Sequence, residues 1–136
     1  MSRLKIVLIG LGRMGRVHAQ ALAKSKTIEV VAVADTSEQS LNFAKSLFGD
    51  IATFTDYKDA MRNSRAQSCL IASPTPLHPQ MVQDAIENNL HVLCEKPLAL
   101  DVEVAIKLAE SAEAKKLVLQ LGHWRRFSPP WATAKK

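Results

Sequence analysis

Much of what usually explains a small protein is missing from these 136 residues. Cysteine occurs only at Cys69 and Cys94, far apart and with no C-x-x-C spacing. That argues against a disulfide-stapled scaffold, and two free thiols fit a cytoplasmic chain. The four histidines, His18, His78, His91 and His123, include no pair at i, i+4 and form no Cys–His cluster, so no metal site is expected. No apolar run is long enough to cross a bilayer. The chain enters a strand almost at once, so no signal peptide is expected either. Acid is absent from residues 122–136, which carry Arg125, Arg126, Lys135 and Lys136. Nearly all of the net charge of +5 therefore sits in this tail, and residues 1–121 hold 14 bases against 13 acids. A basic tail on a neutral body lacks the basic face that nucleic-acid binding needs. What remains is ordinary: 47% hydrophobic and 23% charged residues, in a length that makes one domain with a proper core.

Glycine is also sparse, five in all, yet three fall within residues 10–15. Gly10, Gly12 and Gly15 have the spacing G-x-G-x-x-G. Before them, residues 5–9 form a short, mostly apolar run, as expected for a strand buried on both faces. After them the period becomes helical, with Met14, Val17, His18, Ala21 and Leu22 on one face, expected to point inward. Strand, glycines and helix together make a dinucleotide-binding turn. The first glycine permits the turn, the second lets backbone approach a pyrophosphate, and the third lets helix and strand pack closely. Residues 27–34 read as a second strand ending at Asp35, 20 residues after Gly15. An acid there accepts hydrogen bonds from ribose hydroxyls. The plainer role for Asp35 is to cap the next helix.

Further on, Ser37 suits the N-cap of a helix to about Phe48, with Leu41, Ala44 and Phe48 inward, ended by Gly49. Strands are expected at 51–54, 68–72, 91–94 and 118–121. Helices are expected at 56–62, from Pro79 to about Asn88 with Met81, Val82, Ala85 and Ile86 inward, and from Asp101 to about Lys116. Six strands alternating with five helices give an α/β fold, a doubly wound and mostly parallel sheet. Residues 1–122 make this domain. Residues 123–136, with both tryptophans and Pro129-Pro130, read as a tail leaving the sheet.

Ligands of open α/β sheets bind beyond the carboxyl ends of the strands. Residues 10–15, Asp35, 73–78, 95–97 and 122–126 gather on that edge. The segments Gly-Leu-Gly-Arg-Met-Gly-Arg-Val-His (10–18), Ser-Pro-Thr-Pro-Leu-His (73–78), Cys-Glu-Lys-Pro (94–97) and Gly-His-Trp-Arg-Arg-Phe-Ser-Pro (122–129), with Asp35, resemble the Gfo/Idh/MocA oxidoreductases. The resemblance covers essentially the whole chain and looks strongest toward inositol dehydrogenase-like members.

That resemblance implies an NAD(P)-binding Rossmann domain of an oxidoreductase that moves a hydride between a sugar- or cyclitol-type secondary alcohol and nicotinamide. Gly10, Gly12 and Gly15 would take the pyrophosphate, near the backbone of Arg13 and Met14, and Asp35 would hold the adenosine ribose. Ser73, Thr75 and His78 would line the nicotinamide side, and Glu95 and Lys96 would sit by the nicotinamide ribose and the substrate. Lys96 is the family's catalytic-site lysine, Pro97 would follow a cis peptide bond, and Arg125 and Arg126 would lie at the substrate edge. A lysine is ordinarily too basic to act at neutral pH, and burial beside oxidised nicotinamide would correct that. Asp35 would repel a 2′-phosphate, so NAD is favoured over NADP, although Arg13 could reach a phosphate. Members of the family continue into a second, substrate domain, which this sequence does not contain. That implies cofactor binding here without a complete catalytic site, and an apolar edge open to self-association. A non-catalytic nucleotide-binding module acting through a partner chain has the same sequence pattern.

Overall fold

Strands and helices alternate along the computed structural model, which describes residues 2–134. The strands are β1 (Leu4–Ile9), β2 (Ile28–Ala34), β3 (Ala52–Phe54), β4 (Ser68–Ile71), β5 (His91–Cys94) and β6 (Leu119–Leu121). Between them run α1 (Arg13–Leu22), α2 (Glu38–Phe48), α3 (Tyr57–Asn63), α4 (His78–Glu87) and α5 (Val102–Ala114), and a short α6 (Pro129–Ala134) follows β6. Single 3-10 turns cover Thr75–Leu77 and Trp124–Phe127. All strand pairs are parallel, in the order β3-β2-β1-β4-β5-β6. This is the doubly wound Rossmann order, and the connection reverses direction between β1 and β4. No helix among the described residues is long and apolar enough to cross a membrane.

β1 is central because its side chains can be buried on both sides. Ile6 and Leu8 point to one face, with Leu11, Ala19, Val33, Leu41 and Ala44, where α1 and α2 pack. Val7 and Ile9 point to the other, with Met61, Met81, Val82, Ile86 and Leu108 from α3, α4 and α5. The alternation is the period of two that a strand imposes. Each such aliphatic side chain, fully buried, contributes about 1.5–3 kcal/mol. Cys69 and Cys94 lie in the second cluster as free thiols, and burial pushes both up in pKa, Cys94 to about 12.

Local signals set most boundaries. Ser37 accepts a hydrogen bond from Ser40 N–H at the start of α2, and Gly49 ends that helix with φ +77°. Asp56 and Asp101 cap α3 and α5 in the same way. Lys115, which follows α5, donates to the carbonyls of Ile86 and Glu87 at the end of α4. On α5, Leu108 and Ala112 are buried, whereas Val102 and Ile106 are exposed, as is Leu100 before them.

The inward face of α1 differs from the sequence expectation. Val17 is 53% exposed and Ala21 is exposed, while Gly15 and Ala19 are the buried residues, with Leu22 partly so. The reason is distance. A Cβ on Gly15 would overlap the carbonyl oxygen of Gly10, so α1 lies as close to β1 as a bare backbone allows. The contact face is therefore made of the smallest residues, which add little to a hydrophobic pattern. Gly15→Ala is expected to push α1 outward and lower the unfolding free energy by about 1–3 kcal/mol, the usual range for overpacking. Denaturant unfolding measures this, and an unchanged midpoint at unchanged slope would contradict the packing described.

Candidate functional site

The carboxyl edge of the sheet is set by hydrogen bonds that run one residue beyond the strands. Gly10 N–H donates to Ala34 O, Asp35 N–H to Phe54 O, Ala72 N–H to Ile9 O, Glu95 N–H to Ile71 O and Gly122 N–H to Cys94 O, at 2.8–3.1 Å. Each donor is the first residue after its strand. Chemistry-bearing positions scattered over more than a hundred residues thus occupy fixed places on one line.

Gly10 has φ +87°, and a Cβ there would sit 2.8 Å from the backbone of Ala72 and Ser73, so only glycine fits this turn. A Cβ on Gly12 would meet nothing within 4 Å. Gly12 is also the N-cap of α1 and supplies no side-chain cap, and the first turn of α1 carries no acid. The first N–H groups of the helix therefore face open space with the positive end of its dipole. That is a cradle for a phosphate.

Asp35 closes the adjoining corner. Its Oδ2 accepts from Leu11 N–H at 2.7 Å and its Oδ1 from Ser37 N–H at 2.8 Å. The carboxylate thus fixes the glycine loop and the start of α2 together. Each oxygen retains a lone pair for a further donor. The cap of α2 is Ser37, not Asp35. Arg16 stays at this corner, donating from Nε to Leu11 O and stacking on Phe43 at 4.5 Å.

Beyond β4, the chain turns through Ser73 and Pro74 into the 3-10 turn at Thr75–Leu77. His78 is 1% exposed, and both of its ring nitrogens lie 2.7 Å from carbonyl oxygens, Nδ1 from Pro97 O and Nε2 from Ser73 O. Its nitrogens are engaged inside the fold, so it joins two loops of the edge. The Ser73 hydroxyl donates to Met81 Sδ at 3.1 Å.

Beyond β5, Glu95 is 8% exposed and its Oε1 lies 2.6 Å from His18 Nε2. Gly122 stands opposite, where a Cβ would come within 2.9–3.2 Å of that carboxylate. The Lys96–Pro97 peptide bond is cis. Lys96 itself is exposed, so the burial expected for it is not provided by these residues. After β6, Arg125 stacks over Trp124 at 5.5 Å and Trp131 at 5.3 Å, a cation between two aromatic rings.

One cleft of about 1100 Å³ collects these positions. Gly10, Gly12, Arg13, Met14, Asp35, Ser73, Thr75, His78, Glu95, Lys96, Arg125 and Arg126 all line it. Gly15 does not, because it lies beneath the loop against β1, and Pro97 is not among the lining residues either. The tail does not simply depart: His123 and Trp124 line the cleft as well. Sequence reasoning assigned no site role to His18, and it placed Gly122 on the site edge without a partner. His18 meets Glu95 across 77 positions, for which no local signal exists. The signal for Gly122 was a glycine immediately after a strand. Among the described residues, no three His, Cys, Asp or Glu side chains gather as a metal site.

An open phosphate cradle, an acid at the end of β2 and a cleft over the switch point fit a dinucleotide. Comparison with known proteins agrees. Residues 4–123 match the family described as an oxidoreductase family with an NAD-binding Rossmann fold. The chain is 41% identical to the rhizopine catabolism protein MocA of Rhizobium meliloti, over 95% of this chain and 40% of that protein. It is 33% identical to an inositol 2-dehydrogenase of Rubrobacter xylanophilus, over 99% of this chain and 39% of that one. The crystal structure of scyllo-inositol dehydrogenase from Lactobacillus casei with bound NAD(H) and scyllo-inositol superposes with a TM-score of 0.93 at 31% identity, covering 98% of this chain and 40% of that one. The chain therefore spans about 40% of the length of these relatives. With the glycine turn, the Asp35 corner and the Glu95-Lys96-Pro97 segment on one edge of a 3-2-1-4-5-6 sheet, the chain belongs to the Gfo/Idh/MocA family of NAD-binding Rossmann-fold oxidoreductases.

Proposed function

We propose that this chain is the NAD-binding part of a dehydrogenase that oxidises a secondary alcohol of a cyclitol or sugar. The observation that supports the reading is that one cleft is lined both by the glycine turn and by Lys96, Arg125 and Arg126. The inositol dehydrogenases among the relatives support the substrate class.

In this reading the N–H groups at the start of α1 hold the pyrophosphate, and Asp35 accepts from the adenosine ribose hydroxyls. Oxidised nicotinamide, when bound, supplies the acceptor for a hydride and its two electrons. Lys96, as the free amine, takes the hydroxyl proton while the carbon–oxygen bond becomes a carbonyl, so charge and electrons balance. Lys96 is exposed among the described residues, so exclusion of water at the reacting end would come from the bound cofactor and from a covering element. Arg125 and Arg126 edge the substrate end and add donors for hydroxyl groups. Exposed Leu100, Val102 and Ile106 offer an apolar face for self-association. The alternative, nucleotide binding in the service of a partner chain, shares every cofactor contact and differs only in having no turnover.

Selectivity follows from charge. The Asp35 carboxylate stands where a 2′-phosphate would go, and Thr36 beside it brings no positive charge, so NAD is preferred over NADP. Titration calorimetry of the 136-residue chain is expected to show NAD binding about tenfold or more tighter than NADP. Asp35→Ala is expected to weaken NAD by about 1.5–3 kcal/mol, as for hydrogen bonds to a charged group, and to narrow the gap to NADP. Binding of neither cofactor, or tighter binding of NADP, would overturn the proposal.

A further inference from the structure

Lys96 makes no side-chain hydrogen bond or ion pair among the described residues, yet both of its neighbours in sequence are gripped. On the Pro97 side the grip is His78, whose ring spans Pro97 O and Ser73 O. On the Glu95 side it is His18, 2.6 Å from the carboxylate. The two histidines come from opposite faces of the sheet, His18 from α1 and His78 from α4.

The Glu95 contact is the less ordinary of the two. A carboxylate with 10% of its side chain exposed needs a partner, because taking it out of water without one is costly. His18 is the partner that the fold provides. Gly122 leaves the room: any side chain there would press on the carboxylate. His18 also lies only three residues past Gly15, on the helix whose first turn forms the phosphate cradle. A single hydrogen bond therefore links the element that would hold pyrophosphate to the segment that presents Lys96.

We infer that His18 is a positioning residue: acting through Glu95, it sets the place of Lys96 relative to the phosphate cradle, and so fixes the nicotinamide end of the cleft. The inference rests on the proposed function. Without His18, the Glu95 carboxylate would turn toward water in the cleft and Lys96 would lose its place. The glycine loop and Asp35, tied to each other through Leu11, would not change.

The test compares NADH with ADP-ribose, which has the adenosine and pyrophosphate but no nicotinamide. Both are titrated into the full 136-residue chain and into His18→Leu, His18→Gln and Gly122→Ala. His18→Leu is expected to weaken NADH about fivefold or more and to change ADP-ribose less than about twofold. His18→Gln, whose amide can reach the same carboxylate, is expected to recover most of the loss. Gly122→Ala, which crowds Glu95, is expected to show the same NADH-selective loss and serves as the deciding variant if His18→Leu does not fold. Equal weakening of both ligands would mean that His18 only stabilises α1, and would overturn the inference, as would no weakening of either. Wild-type chain that binds neither ligand would instead overturn the proposed function, and the inference with it.

Discussion

The parallel ladder, continued one residue past the strands, is the constraint on which the site depends. Gly10, Asp35, Ala72, Glu95 and Gly122 each donate backwards to a neighbouring strand, so none can shift without breaking the sheet edge. A parallel sheet buried on both faces allows little slippage, because a one-residue slip turns every side chain to the wrong face. The core therefore fixes the register, and the register fixes the chemistry. Val7 and Leu8, fully buried in the centre, do as much to place the cleft as any residue that lines it.

Polar groups at this edge are held rather than left loose. Glu95 and His78 are buried; Glu95 meets His18 of α1, and His78 lies between the carbonyls of Ser73 and Pro97. No buried side-chain polar atom among the described residues lacks a hydrogen-bond partner. Satisfied buried polar contacts specify one arrangement more sharply than apolar contacts, because their alternatives leave a group unpaired. The glycine turn and the Glu95–Pro97 segment are thereby held in one arrangement.

Most of the fold was legible in the sequence because its signals are local. Strand runs, the cap at Ser37 and the stop at Gly49 each depend on a few adjacent residues. The face of α1 was misread because glycine carries no hydrophobic weight: the close approach of α1 to β1 depends on a missing side chain at Gly15. The partnership of His18 with Glu95 was illegible because nothing local links positions 77 apart. The exposure of Lys96 was also not legible, since sequence places a residue on an edge but does not say what covers it. The tail read as a departure because prolines and tryptophans interrupt the α/β rhythm, although Arg125 stacked between Trp124 and Trp131 gives it a local order of its own.

We propose that a nicotinamide dinucleotide lies across the switch point between β1 and β4, with its pyrophosphate at Gly12 and its reacting end at Lys96. The most direct measurement is an NMR titration of the isotopically labelled chain with NAD, following backbone amides. That placement predicts saturable shifts at residues 10–15, Asp35, Ser73 and Glu95–Lys96, with little change at the amino ends of the strands or along the exposed face of α5. Saturable binding that leaves the glycine loop unshifted, or that maps to α5, would contradict it.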